Sequence, residues 1–481
     1  MSDIKSETIH GVKWSAISNF SNTIVSFLVG IVLARLLDPS DYGTVGMTAI
    51  FFAIAGIFVD GGFGAALIRK KDLTEEDCST VFYFNIVASI IVYSLLFCAS
   101  PYIADFLNAP VLREIIRISG LNMIIGSFGS IHFSLLTKKV NFKTPALLGL
   151  SLNMINAIIG IYMAYHGYGV WALVVPGVLV CVMRVIAIWM ISPWRPKRVF
   201  SIKSFKEMFS FSSNLVVNAI LDKFYNEGTQ MVIGRFYTPQ MLGYYSKGLS
   251  TAQLPSISLY NVVGGVTFPV LAKIQDDNNT LVYVYSRYIR ILSMVIFFAM
   301  ILLAALARPY TLLLYSEKWE AAVIFLQLFC FRYLLYHIHA INWNLLLVKG
   351  RSDIALKKEI INKTVKFTLL ITSIPFGVVA ICLAQICGSI FDLFVNTYYA
   401  GKVCNMGFRK QTSDFVPYLI LAIFSCLPAF AITYLQINHL LTLIIGVLSA
   451  FFLYWGYLWL RKDENLKELV MLVTKKNSRN K

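Results

Sequence analysis

Along this chain apolar residues come in blocks of about twenty, separated by short polar stretches, and each block is wide enough for one membrane-crossing helix. A hydrocarbon core roughly 30 Å thick is crossed by about 20 helical residues. The hydropathy pattern predicts about fourteen such spans. They run over residues 14–36, 44–68, 79–100, 115–136, 146–166, 170–192, 210–234, 242–268, 288–307, 321–347, 360–376, 378–400, 416–435 and 440–460, and the seventh, eleventh and twelfth are the weakest in apolar character. The first run has no small-residue cleavage site and continues to full length, which predicts a retained helix rather than a removed signal peptide. The expected fold class is an all-α polytopic membrane protein.

Composition agrees. Of 481 residues, 57% are hydrophobic and 14% charged, where a soluble domain carries about 25% charged residues. The formal charge of +17 does not form a nucleic-acid-binding face, because the bases sit in short segments between apolar runs. Clusters such as Arg69 to Lys71, Lys138 to Lys143, Arg195 to Lys206 and Lys349 to Lys358 fall in every second loop, with Lys5, Lys13 and the Arg461–Lys481 tail on the same side. The alternate loops hold only Arg113, Arg235, Arg308 and Lys318. The positive-inside rule therefore puts both termini in the cytoplasm and requires an even number of spans. The external loops are short, so any pathway is expected among the helices. The eight cysteines lie mostly in apolar runs without a Cys-x-x-Cys pair and read as small buried hydrophobes.

One turn is written twice. The stretch LARLLDPSDYGTVG carries Arg35, Pro39 and Gly43, and IGRFYTPQMLGYYSKG carries Arg235, Pro239 and Gly243 at the same spacing. The copies follow spans one and seven, so both face outward, as a parallel repeat of six helices requires. A weaker echo, LIRKKDLTEED and LAKIQDDNNTL, follows spans two and eight. The expected organisation is an N-lobe over 1–192, a basic linker over 193–209, a C-lobe over 210–401, and a C-terminal helix pair with a basic tail over 402–481. Arg35 and Arg235 each have two readings. A cation in the last turn of a helix suits the helix dipole and snorkels to the interface; the other reading is substrate contact.

The segments ARLLDPSDYG, FVDGGFGAALIRK, FPVLAKIQDD, SEKWEAAVIFLQLF and LLLVKGRSDIALKKE together resemble the Wzx-type polysaccharide-biosynthesis flippases, in particular their colanic-acid-flippase branch. These belong to the multidrug, oligosaccharidyl-lipid and polysaccharide exporter superfamily. The resemblance implies a V-shaped pair of lobes around a cavity that opens alternately to either side. It implies a bacterial plasma-membrane protein that carries an undecaprenyl-diphosphate-linked oligosaccharide. Thr229 and Gln230 stand where many members of that family have an acidic residue ahead of the second Arg turn.

A diphosphate and its sugars lose hydrogen bonds worth roughly 2–7 kcal/mol per unpaired polar group on entering hydrocarbon, so a carrier needs a wet groove with counter-charges. Ionisable residues within spans are the natural candidates. Span seven is the most polar: Asn218, Asp222 and Asn226 recur at i, i+4, i+8, with Lys223 and Glu227 as an i, i+4 pair beside them. Either this is an internal ion pair with interhelical polar packing, or it is a cavity wall where Lys223 meets phosphate and Asp222 or Glu227 takes a coupling cation. Arg332, mid-way along span ten, is a second phosphate candidate, unless it pairs with a carboxylate such as Asp222. Arg184 and Asp392 are candidates for a pairing across the lobes or an inner gate. Asp60, beside Gly61 and Gly62, marks either a helix break lining the cavity or a capped turn. Lys247, Arg117, Lys363 and Lys366 read as snorkelling cations, with Lys247 also a cavity candidate.

His337 and His339 point to different faces of a helix and do not suggest a metal pair. The sequence contains no phosphate-binding loop, nucleophile elbow or ATPase domain, and the expectation is a non-enzymatic transporter without cofactor or metal. Its expected partners are the lipid-linked oligosaccharide and membrane lipids, and H+ or Na+, a polymerase and other assembly proteins are left open. The alternatives are a cation-coupled small-molecule antiporter of the same fold and, from another class, a membrane-embedded polysaccharide polymerase.

Overall fold

The computed structural model describes residues 20–70, 72–138, 143–435 and 437–478; among these, the side chains of 65, 69, 210–215, 217–219, 221–222, 262–270, 272, 352 and 472–478 are also outside the description. Lys5, Lys13, Lys71 and Lys139 therefore lie outside the described residues. The described chain is almost entirely helical. It contains α1 (Phe20–Leu36), α2 (Pro39–Asp60), α3 (Phe63–Arg69), α4 (Glu75–Phe106), α5 (Leu112–Lys138), α6 (Lys143–Tyr165), α7 (Trp171–Ile191), α8 (Ile202–Phe236) and α9 (Pro239–Lys273). Then follow α10 (Asn278–Ala305), α11 (Ala307–Tyr315), α12 (Ala322–Leu334), α13 (Tyr336–Val348), α14 (Ser352–Ser373), α15 (Val378–Cys404), α16 (Phe408–Ile432), α17 (His439–Leu460) and α18 (Glu464–Ser478).

Among the described residues, ten helical segments are long and apolar enough to cross a membrane. They coincide with ten of the fourteen expected spans, including the twelfth. The other four expected spans also fall on helices, α1, α8, α9 and α14, which are either shorter or more polar. The protein is a multi-pass membrane protein.

Two compact units divide the chain, Met1–Gly243 and Tyr244–Lys481. In the first, α4 packs on α5, α5 and α6 on α7, and α2 along α8. Its largest described core is aromatic: Phe63, Phe82 and Leu67 are fully covered and join Ile131 of α5 and Met208 of α8. In the second unit α10 is the central helix, packed against α12, α13 and α16. Its apolar window is 56% buried, against 17–33% for the spans of the first unit. Phe297 of α10 lies between the His337 and Phe415 rings.

The duplicated turn has the same form in both copies. Each time a helix ends one residue after the arginine, at Leu36 or Phe236, and the next begins at the proline, whose missing N–H costs nothing at the first helical position. In the first copy Asp38 and Asp41 form a capping box. In the second, Thr238 accepts from Met241 N at 3.2 Å. The glycines explain themselves by contact. A Cβ on Gly43 would overlap the Pro239 carbonyl, and a Cβ on Gly243 would overlap the Pro39 carbonyl. The two helix starts thus cross backbone to backbone, as small residues allow.

Gly43→Leu and Gly243→Leu are each expected to destabilise the protein by at least the roughly 1–3 kcal/mol typical of overpacking. The check is the detergent-solubilised melting temperature, with Gly456→Leu, where nothing crowds a Cβ, as the neutral control.

Candidate functional site

In the first unit the polar candidates lie along α8. Its buried side, with Tyr225, Thr229 and Ile233, includes Gly228 facing Ile50 and Gly234 facing Met47 of α2. The polar side turns away from α2. There Lys223, half exposed, stands 3.9 Å from Glu227 one turn on, and Gln230 Nε2 donates to Glu227 at 2.9 Å. The expected i, i+4 pair is therefore formed, and it is loose and accessible. The side chains of Asn218 and Asp222 lie outside the described residues. Thr229 is buried and bonds back to the Tyr225 carbonyl.

Asp60 ends α2. Gly61 and Gly62 follow with left-handed φ of 55° and 73°, values that only glycine adopts without strain, and the Asp60 carboxylate takes a backbone hydrogen bond from Gly62. The helix break is real, and the carboxylate caps it. Arg184 is exposed on α7. Arg35 is exposed at the end of α1, while Arg235 lies 5.1 Å over the Phe106 ring and donates to the Asn108 carboxamide oxygen at 2.9 Å. Arg117 donates from Nε to Ser100 Oγ at 3.0 Å, its guanidinium covers Phe97, and it reaches Glu114 at 3.7 Å.

The second unit holds a continuous polar chain in its interior. Arg332, in the last turn of α12, donates from Nη1 to Gln385 Oε1 at 2.6 Å, and Gln385 Nε2 donates to Tyr245 Oη at 2.9 Å. Gln385 of α15 thus gives the guanidinium a neutral carboxamide acceptor. Just beyond Arg332 the expected tenth span is broken: α12 stops at Leu334 and α13 starts at Tyr336. A break inside the hydrocarbon leaves carbonyls without intrahelical donors. Here the Arg332 carbonyl accepts from Ser389 Oγ at 3.2 Å and the Tyr333 carbonyl from Ser256 Oγ at 2.9 Å.

Past the break the two histidines part. His337 meets Ser293 of α10 at 2.8 Å, whereas His339 meets Ser389 at 3.1 Å and Asn396 at 3.0 Å, both on α15. Among the described residues no group of three or more His, Cys, Asp or Glu side chains has the disposition of a metal site. Asp392, one turn after Ser389, is buried and forms an ion pair with Lys366 of α14. Two snorkelling expectations are corrected at this point. Lys366 turns inward because a buried carboxylate awaits it. Lys247 is 8% exposed and lies over the faces of Tyr315 and Trp319, at 4.1 and 5.6 Å, an arrangement in which the ring quadrupoles replace water. Lys363 pairs with Glu359 at 3.7 Å. Sequence reading missed Lys358, buried over the Trp343 ring, and Gln385; neither carries a local signal, since their partners lie on other helices.

Long apolar helices packed around a buried ion pair, one of them interrupted, define a multi-pass helical membrane protein. The chain belongs to the polysaccharide biosynthesis protein family, which it matches over residues 32–324. It is 28% identical to the teichuronic acid biosynthesis protein TuaB of Bacillus subtilis, over 74% of each chain. It is 24% identical to the lipopolysaccharide biosynthesis protein WzxC of Escherichia coli, over 82% of this chain and 81% of that one. Among solved structures, the lipid II flippase MurJ in an inward closed conformation shares the fold, with a TM-score of 0.77, 15% identity, and coverage of 93% of this chain and 99% of that one. An inward-facing multidrug resistance transporter of the MATE family, itself of the MOP superfamily, aligns with a TM-score of 0.60, at 14% identity over 81% of this chain and 98% of that one.

Removing the cation of a buried pair leaves an uncompensated carboxylate, at about 3–5 kcal/mol. Lys366→Met is therefore expected to lower the melting temperature sharply, and Lys366→Met combined with Asp392→Asn to recover most of the loss. A double variant that loses the sum of the Lys366→Met and Asp392→Asn losses would mean that the pair is not coupled.

Proposed function

We infer that this protein is a flippase that moves an undecaprenyl-diphosphate-linked oligosaccharide repeat unit across the bacterial plasma membrane by alternating access, for surface polysaccharide assembly. The single observation that carries this reading is the family match over most of the chain on a flippase fold. The interior supports it. A lipid-linked sugar needs its tail left in the bilayer and its anionic head given polar partners, and each half of the chain supplies such partners within helices that otherwise read as apolar.

In this reading Lys223 and Arg332 are the phosphate contacts. Lys223 is an accessible cation that stands 3.9 Å from Glu227, so exchanging that partner for a diphosphate costs little. Arg332 offers a planar fork suited to phosphate oxygens, and Gln385 holds the guanidinium at 2.6 Å. Glu227, Asp222 and Asn218 line the same stretch of α8 as Lys223. Asp60 and Asp392, with Arg184, are assigned to gating; Arg35, Arg235 and Lys247 to the outer ends of the helices. Both termini are cytoplasmic, and six-helix lobes over 1–192 and 210–401 are joined by the linker 193–209 and followed by the pair and tail over 402–481. A gradient of H+ or Na+, or consumption of the sugar unit by a polymerase outside, would drive transport. No step requires the chain to make or break a covalent bond.

Reconstitution with a fluorescent lipid-linked oligosaccharide is the test: the wild type is expected to expose the head group to a membrane-impermeant quencher, and protein-free vesicles not. Arg332→Ala and Lys223→Ala are each expected to slow exposure about tenfold or more, the loss of one charge-assisted contact of about 1.5–3 kcal/mol, at normal protein levels. Undiminished transport in Lys223→Ala removes that residue from the pathway; extrusion of cationic drugs without lipid flipping replaces the whole reading by antiport.

A further inference from the structure

We propose that the segment 193–209 is a membrane-surface anchor that binds the headgroups of anionic phospholipids, fixing the start of α8 in the interfacial layer. Three observations place it there. The first is length: α8 has 35 residues, about 52 Å at 1.5 Å per residue, whereas the hydrocarbon is about 30 Å thick. With Arg235 at one interface, roughly the first fifteen residues emerge beyond the other.

The second is composition by face. Ser204 and Met208 turn inward and are buried, and Phe205 contacts Phe63 and Phe84. The outer surface is different: Val199, Phe200, Ile202 and Phe209 are 40–65% exposed, and among them stand the exposed Lys197, Arg198, Lys203 and Lys206. Apolar side chains interleaved with bases and presented outward form the pattern that enters the headgroup layer and pairs with negative lipid. Water alone would be a poor environment for four such side chains; an anionic membrane surface suits both sets. Among the neighbouring acidic groups Glu207 and Asp77 pair with Lys70 at 3.1 and 3.0 Å, and Glu75 accepts from the Trp194 indole N–H at 3.1 Å.

The third is rigidity. The segment is irregular from Ser192 to Ser201 yet is bound to the start of α4: Lys197 N donates to Ser79 Oγ at 3.0 Å and Ser201 N to Thr80 Oγ1 at 2.9 Å, both acceptors being fully buried. Arg195 closes the turn by donating to the carbonyls of Trp189, Ser192 and Trp194. A strap held this way presents a fixed set of bases, and the ordering cost of binding is met within the fold.

The test uses full-length protein with Phe200→p-benzoylphenylalanine, in nanodiscs of equimolar phosphatidylglycerol and phosphatidylcholine, and counts lipid adducts by mass spectrometry after illumination. A base near the surface favours anionic lipid about fivefold, so phosphatidylglycerol adducts are expected to exceed phosphatidylcholine adducts at least fivefold. The same probe at Leu448, on an apolar stretch of α17, is expected to give near parity. The preference at 200 should vanish when Lys197, Arg198, Lys203 and Lys206 are all changed to Gln. It should also vanish for the unaltered bases in 1 M salt, where screening acts within about 3 Å, so the outcome does not depend on one variant folding. Parity at low salt, or adducts in native membranes that are chiefly to protein, would overturn the proposal. The readout is lipid contact and not transport, so its failure is distinct from failure of the flippase reading.

Discussion

Inside hydrocarbon a backbone carbonyl has no water to turn to, and every departure from regular helix must find its partners within the protein. This requirement organises the second unit. The chain interrupts one of its two most deeply buried spans at Leu335, without proline or glycine to force it, and the carbonyls at that break are taken by Ser389 of α15 and Ser256 of α9. Those hydroxyls fix the registers of two further helices against the break. Once α15 is fixed, Gln385, Asp392 and Asn396 follow at helical spacing and meet Arg332, Lys366 and His339 in turn.

Charge obeys the same rule with larger stakes. A buried ion pair contributes little net stability, but breaking one is severe, so paired charges such as Asp392 with Lys366 hold helices in relation to each other more than they hold the fold together. Lys247 and Lys358 show the other solution, an ammonium laid on an aromatic face. Lys223 on the first unit, half exposed beside Glu227, is the most accessible of these cations.

What could be read in the sequence follows from where the cause lies. Ten of the fourteen span positions, the helix break at Asp60–Gly62 and the duplicated turn rest on local residue types, and these are found where apolar runs, paired glycines and an Arg-Pro-Gly spacing put them. The break at Leu335 was invisible because its stabilisers are serines some eighty residues upstream and some fifty downstream. The inward turn of Lys366 was likewise hidden, since a lysine near a helix end reads as snorkelling until Asp392 is known to sit beside it. The α8 stripe was legible as a pattern, and the i, i+4 pair of Lys223 and Glu227 formed as its spacing required.

The reciprocal contact of Gly43 with Pro239 and of Gly243 with Pro39 makes the two turns interdependent. Each turn supplies the backbone that forbids a side chain on the other, so a substitution at either glycine cannot be relieved within its own turn and must be answered by a shift of the other helix start.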